Sequence, residues 1–137
     1  MKCRLIAFLC VLTALNVNAV EVSDKLLHAL KMAESGCKSD AIGDSGKAVG
    51  ILQLHKVYVD DANRIVGYKK YSYNDRYDVC KSEEMTRIVL THYGKHYERI
   101  IGKRCTDEIL ARIHNRGYSQ WNDKLGERYW NKVKQFM

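Results

Sequence analysis

The strongest constraint on this chain is an abrupt change of backbone character at residue 36. Leu26, Leu27, Leu30 and Ala33 recur at helical spacing and define one apolar stripe. Ser23 and Asp24, just ahead of them, are helix-capping residue types. Gly36 is a natural stop, and further glycines follow at positions 43, 46 and 50. Gly43-Asp44-Ser45-Gly46 is a turn signal, and Val49 to Leu54 is an apolar run able to return to a core. The pattern predicts a helix that ends at Gly36, then a loop or short β-like excursion. Glu34 sits at the junction, one turn beyond Leu30 and at the edge of the stripe. Its carboxylate is therefore expected to face a core or a cleft and not open water. Partial burial and the negative end of a helix both disfavour a charged carboxylate there, which suits a general acid. An ordinary exposed glutamate in a last turn is the plainer alternative.

The remainder of the chain reads as helices with short joins. A second helix is expected from Val57 to Gly67, a third from Ser82 to Gly102 and a fourth from Thr106 to Asn115. A last amphipathic helix carries Leu125, Tyr129, Trp130, Val133 and Phe136. Between the second and third, Tyr68 to Tyr77 is aromatic, polar and basic with no clean period, and reads as a long connection. The chain contains no proline, which removes one helix breaker. Its 137 residues suit one core and are too few for two. The expectation is a mainly α (α+β) single domain.

At the N-terminus, Lys2 and Arg4 precede an apolar run from Leu5 to Leu15, and Val17-Asn18-Ala19 offers residues suited to a cleavage site. Residues 1–19 are expected to be a signal peptide and residues 20–137 the domain, making the protein secreted or periplasmic. The apolar run is shorter than the roughly 20 residues of a membrane span, so no stable membrane insertion is expected after cleavage. Of the 23 basic residues, losing Lys2 and Arg4 leaves 21 against 16 acidic ones, a net charge of +5. That balance suits an anionic polymer, and export favours the cell envelope over nucleic acid. Of five cysteines, Cys37, Cys80 and Cys105 would remain. An odd count leaves one thiol over; Cys80 with Cys105 is the favoured pairing, because both flank the third helix, and three buried thiols are the alternative.

Three stretches, taken in order, carry a family resemblance. They are Glu34-Ser35-Gly36, then Gly43-Asp44-x-Gly46-x3-Gly50-Ile51-Leu52-Gln53, then Ile113-His114-Asn115-Arg116-Gly117. Together they resemble the signatures of lysozyme-like lytic transglycosylases and goose-type lysozymes (the SLT-like domain). Tyr129-Trp130-x-Lys132-Val133 is similar to the close of that domain. The resemblance implies that Glu34 is the general acid/base at the β-1,4 bond between N-acetylmuramic acid and N-acetylglucosamine, through an oxocarbenium-like transition state. It implies Asp44 as a second catalytic carboxylate, although a turn-forming aspartate before Ser45-Gly46 has the same appearance. His55 stands where the goose-type pattern can carry a further aspartate. Gln53, Gly50, His114 and Asn115 are implied substrate-binding residues. Gln53 would line the cleft, Gly50 would let the backbone approach sugar, and Asn115 would brace the site. His114 replaces a common tyrosine, and Arg116 replaces a small residue.

Other constellations point elsewhere. His92 and His96 lie four residues apart, but Tyr93-Gly94-Lys95 between them lacks the glutamate of a zinc protease motif, so a helix edge is the expected setting. No metal and no cofactor are expected, since acid catalysis and cleft geometry suffice. The Tyr68 to Tyr77 segment could stack on sugar rings or bases, or be a surface loop. The resulting expectation is a monomeric lysozyme (muramidase) or lytic transglycosylase acting on peptidoglycan glycan strands, with no nucleic-acid partner. The alternative is a non-catalytic lysozyme-like glycan-binding or cationic antibacterial protein. The presence of both Glu34 and Gln53 argues against it.

Overall fold

The computed structural model describes residues 19–137; the signal peptide expected over residues 1–19 lies, apart from Ala19, outside the described residues. Ser23 accepts the Leu26 N–H at 3.1 Å and starts α1, Asp24–Ser35. Gly36 ends it in the left-handed conformation, φ 63°. The glycine-rich excursion is a miniature antiparallel hairpin, β1 (Ile42–Gly43) with β2 (Ala48–Val49), in the register Ile42 opposite Val49 and Gly43 opposite Ala48. A 3-10 turn, Asp44–Gly46, joins the strands. Then come α2 (Lys56–Val66), α3 (Val79–Ile101), α4 (Asp107–Arg116) and α5 (Lys124–Val133). The mainly helical domain with a small β excursion is as the sequence predicts.

The helices enclose one core. α3 packs against α2 and α4, and α5 lies against α4 and α1. Leu26 and Leu30 of α1, Val59, Met85, Leu90, Leu110 and Val133 are all but completely buried. Leu52 and Leu54 join them from the loop after β2. Each such side chain is worth roughly 1.5–3 kcal/mol when buried, so Leu52 and Leu54 anchor the loop after β2 to the core.

Three expectations need correction. The third helix starts at Val79 because Asp78, not Ser82, is its cap, accepting the Lys81 N–H at 2.9 Å. Ser82 is instead buried, its hydroxyl donating to the Arg76 carbonyl at 2.7 Å. The connection after α2 is more than a surface loop. A reciprocal Ser72–Asp75 cap starts a 3-10 turn at Tyr73–Tyr77, and Arg76 within it is 6% exposed. Its guanidinium donates to the Tyr73, Lys47 and Leu54 carbonyls at 2.7, 3.1 and 3.0 Å, tying this turn to the β excursion. Finally, Cys80 and Cys105 cannot pair. Cys80 is in the first turn of α3, whereas Cys105 folds back beside Gly94 of the same helix, about 21 Å further along at 1.5 Å per residue, and a disulfide needs Cα atoms within about 7 Å. Cys37, Cys80 and Cys105 are all free, with Cys37 and Cys80 exposed. Burial pushes the Cys105 thiol up to about 12, with Glu98 and Asp107 adding to the shift.

Candidate active site

The end of α1 carries Glu34 to the wall of a cleft of about 560 Å³, a volume typical of ligand sites. The stop at Gly36 puts Glu34 in the last turn, and Ser35 fixes where that turn points. The Ser35 hydroxyl donates to the Ile51 carbonyl at 2.8 Å and accepts the Lys38 N–H at 3.0 Å. Helix end and hairpin loop are thereby clamped together. α1 has no basic residue in its own last turn. Lys132 of α5 supplies the cation from outside, donating to the Ala33 carbonyl, so the negative end of the helix is not left bare beside Glu34.

Glu34 is largely buried, with 17% of its side chain exposed. The Tyr129 hydroxyl of α5 donates to its Oε1 at 2.6 Å. His114 Nε2, on the last turn of α4, stands 3.6 Å from the same oxygen, and the imidazole is only 3% exposed. Oε2 accepts no hydrogen bond from any described side chain, although Glu34 lines the cleft. Burial raises the Tyr129 hydroxyl well above its ordinary value, with the Glu34 charge adding to it, and burial likewise raises Tyr58. Both phenols are therefore neutral donors. The Tyr58 hydroxyl stands 3.3 Å from His114 Nδ1, so the neutral tautomer these partners favour carries its proton on Nε2, facing Glu34. Burial lowers the His114 pKa, opposed by the Glu34 charge and the Leu52 carbonyl.

That last shift has a consequence for stability. The unfolded histidine takes up a proton below about pH 6.5, while the buried one resists until a lower pH. The contribution of neutral His114 is therefore complete above about pH 6.5 and is lost as the pH falls toward its folded pKa. Thermal unfolding of His114→Gln should accordingly change less between pH 7 and pH 5 than that of the parent. An identical change in both proteins would show that His114 does not carry this dependence.

The same cleft is lined by Asp44, at the tip of the β1–β2 turn, with His55 Nε2 3.3 Å from its Oδ2. His55 is the residue ahead of α2. Among the described residues, the four non-glycine positions with positive φ are Cys37, Asp44, Ser45 and Gln53. All fall between α1 and α2, in the stretch that brings Asp44 and Gln53 to the cleft. Left-handed backbone costs a side-chain-bearing residue about 1–2 kcal/mol, and such strain tends to collect where function holds it in place.

Of the residues singled out from sequence, Glu34, Asp44, Gln53, His114 and Asn115 all line this cleft. Gln53 does so with its amide already engaged: Nε2 donates to the Ala41 and Gly50 carbonyls at 3.1 and 2.9 Å. A Cβ on Gly43 would fall 2.4 Å from Gln53 Oε1, so Gly43 makes room for that amide. Asn115 is exposed on the rim and makes no hydrogen bond to a described side chain; it does not brace the site. Gly50 is buried and does not line the cleft; it lies against the Arg76 carbonyl. Arg116 is spent on Asp123 and Gln120, at 2.9 and 3.0 Å. Sequence reasoning missed Tyr58 and Tyr129 as parts of the site. Tyr58 is not singled out by the sequence pattern, Tyr129 stands out only on an apolar helix face and in the closing motif, and their partners lie 56 and 95 residues away.

The Destabilase family model matches residues 23–136. The chain is similar in structure to Tapes japonica lysozyme, with a TM-score of 0.67 and 24% identity over 82% of this chain and 89% of that one. It is also similar to a chain in the crystal structure of Aeromonas hydrophila PliI in complex with Meretrix lusoria lysozyme, with a TM-score of 0.68 and 22% identity over 83% and 89%. No curated protein matches the sequence.

Proposed function

The chain belongs to the Destabilase family of lysozyme-fold enzymes, and from that premise we propose that it is an exported muramidase cleaving peptidoglycan glycan strands. The lysozyme-like part of the motif resemblance thus holds, with Destabilase as the family in place of goose-type lysozymes or lytic transglycosylases. The observation that carries the reading is Glu34 itself: one oxygen held by Tyr129 at 2.6 Å, the other left for a ligand in a ligand-sized cleft.

In this reading Glu34 works through Oε2. Its proton passes to the glycosidic oxygen of the β-1,4 bond as the bond to C1 of N-acetylmuramic acid breaks. The fixed Oε1 keeps the carboxyl from rotating out of line, which is where positioning contributes to rate. Neutral His114 and Tyr129 then stabilise the carboxylate left behind without adding a net charge. Asp44 faces the oxocarbenium-like centre from the other wall and orients the attacking water. The water oxygen bonds to C1, and its proton returns to the site as Glu34 is recharged. Asp44 on the same cleft favours hydrolysis over closure of a 1,6-anhydro ring, which needs only one carboxylate. The net positive charge matches an anionic wall polymer, and the N-terminal signal would deliver the protein outside the cell or to the periplasm.

Mass spectrometry of fragments released from purified peptidoglycan tests the reaction type. Reducing N-acetylmuramic acid ends are expected, and their yield should fall by roughly 10²-fold or more in Asp44→Asn. Anhydro-muramyl ends, with Asp44→Asn as active as the parent, would replace hydrolysis with transglycosylation and return Asp44 to the role of a turn residue.

A further inference from the structure

A second cleft, of about 690 Å³, opens on a neighbouring face of α2 from the Glu34 cleft. It is lined by Asp60 and Arg64 of α2 and by Tyr68, Lys69, Ser72 and Tyr73 of the segment that follows. We propose that this cleft is a non-catalytic glycan-binding site that holds the anionic wall polymer while the Glu34 cleft cuts it. The proposal rests on the muramidase reading for the identity of that polymer.

Three observations support a built site over an idle loop. The first is rigidity. Asn63 clamps the segment onto α2 with three hydrogen bonds. Its Nδ2 donates to the Tyr71 carbonyl at 2.9 Å, and its Oδ1 accepts the Lys70 and Tyr71 N–H groups at 2.9 and 2.8 Å. The Ser72–Asp75 cap and the Lys81–Asp75 ion pair, at 2.7 Å, secure its far end. Little ordering cost then remains to be met on binding.

The second observation is aromatic exposure. Tyr68 is 63% and Tyr73 42% exposed, although fixed backbone would allow either position to be polar. Tyr73 is held in place by its hydroxyl, which donates to Asp60 at 3.0 Å, and by Lys56, whose ammonium lies 5.1 Å from the ring centre. Flat rings presented this way match the apolar C–H faces of pyranose sugars, while Asp60 and Ser72 offer partners for hydroxyl and amide groups.

The third is charge and placement. Arg64 and Lys69 line the cleft and suit the carboxylates of muramic acid and its peptide. The Arg64 guanidinium is also bonded to Asp61, with its Nε at 3.0 Å, and reaches the Tyr93 hydroxyl at 3.2 Å. Asp61 and Tyr93 line the Glu34 cleft. A single side chain thus forms the ridge between the two clefts, close enough for both to engage one polymer.

The test uses the full chain carrying Glu34→Gln, so that the wall is bound without being consumed. Adsorption to purified peptidoglycan sacculi is compared with that of the same protein also carrying Tyr68→Ala and Tyr73→Ala. Loss of two aromatic anchors should weaken adsorption by on the order of tenfold or more. With Glu34 intact, Tyr68→Ala/Tyr73→Ala should cleave a short soluble oligosaccharide at the parent rate. Tyr68→Ala alone, whose hydroxyl bonds to no described side chain, gives a milder loss that no folding defect explains. Equal adsorption of parent and double variant would overturn the second site and leave the muramidase reading intact. A parent that does not adsorb at all would overturn the polymer assignment itself. Loss of soluble-substrate cleavage would make the tyrosines part of the main cleft, and tighter binding of single-stranded oligonucleotides than of sacculi would replace glycan with nucleic acid; either overturns the proposal.

Discussion

Glu34→Gln is expected to leave the protein folded and reduce wall lysis by about 10²–10⁴-fold, the usual contribution of a general acid. The substitution is nearly isosteric. Glutamine retains an oxygen to accept the Tyr129 hydroxyl, so the bond that is 2.6 Å long in the parent survives in kind. What disappears is the dissociable proton. The variant should therefore have the parent's thermal midpoint within a few degrees and bind wall material normally. Turbidity loss of a wall suspension is the direct measurement. A folded Glu34→Gln protein with full lytic activity would remove Glu34 from the chemistry and with it the proposed mechanism.

Gly50→Ala is expected to have the largest effect on stability. A Cβ at position 50 would lie 1.9 Å from the Arg76 carbonyl oxygen, and the residue's φ is +81°. Both the backbone conformation and the contact exclude a side chain. The carbonyl cannot yield, because it already accepts the Ser82 hydroxyl at 2.7 Å and belongs to a turn held by three guanidinium bonds. The cost should exceed about 4 kcal/mol, in the range reserved for broken cores, and lower the melting temperature by roughly 10 °C or more. Gly67→Ala is the matched control. Its φ is +86° but nothing lies within 4 Å of the added Cβ, so only the conformational penalty of about 1–2 kcal/mol applies. Equal losses in the two variants would show that the Arg76 contact is unimportant.

These two positions illustrate what the sequence could reveal. Ser23, Thr106, Gly36, Gly67 and Gly102 mark helix ends by chemistry confined to a few residues, so the helices around them were legible. Glu34 was legible because its helix stops two residues later and a glycine-rich turn follows. Gly50 drew attention as a glycine, but its reason was misassigned: a single sequence cannot show that the backbone nearby belongs to Arg76 and not to a sugar. Arg76 itself carried no signal, since its burial depends on carbonyls 22 and 29 residues away. Tyr129 was similarly hidden. Its helical spacing announces a buried face, but nothing local says which carboxylate its hydroxyl will meet. The Asp78 cap was readable in principle; Ser82-Glu83-Glu84 simply offered a stronger-looking start to the same helix.

The contacts of α5 at the end of α1 also set the order in which the Glu34 cleft is completed. Tyr129 follows Glu34 by 95 residues and Lys132 follows Ala33 by 99, so a ribosome releases the end of α1 well before either partner. Until α5 docks, the carboxyl lacks the hydroxyl that orients it, and the last turn of α1 lacks its cation. An emerging chain thus holds every residue of the β1–β2 wall and still lacks a finished cleft. α5 thus acts as a latch on the Glu34 side of the cleft, and clipping within it would undo that side while sparing the β1–β2 wall.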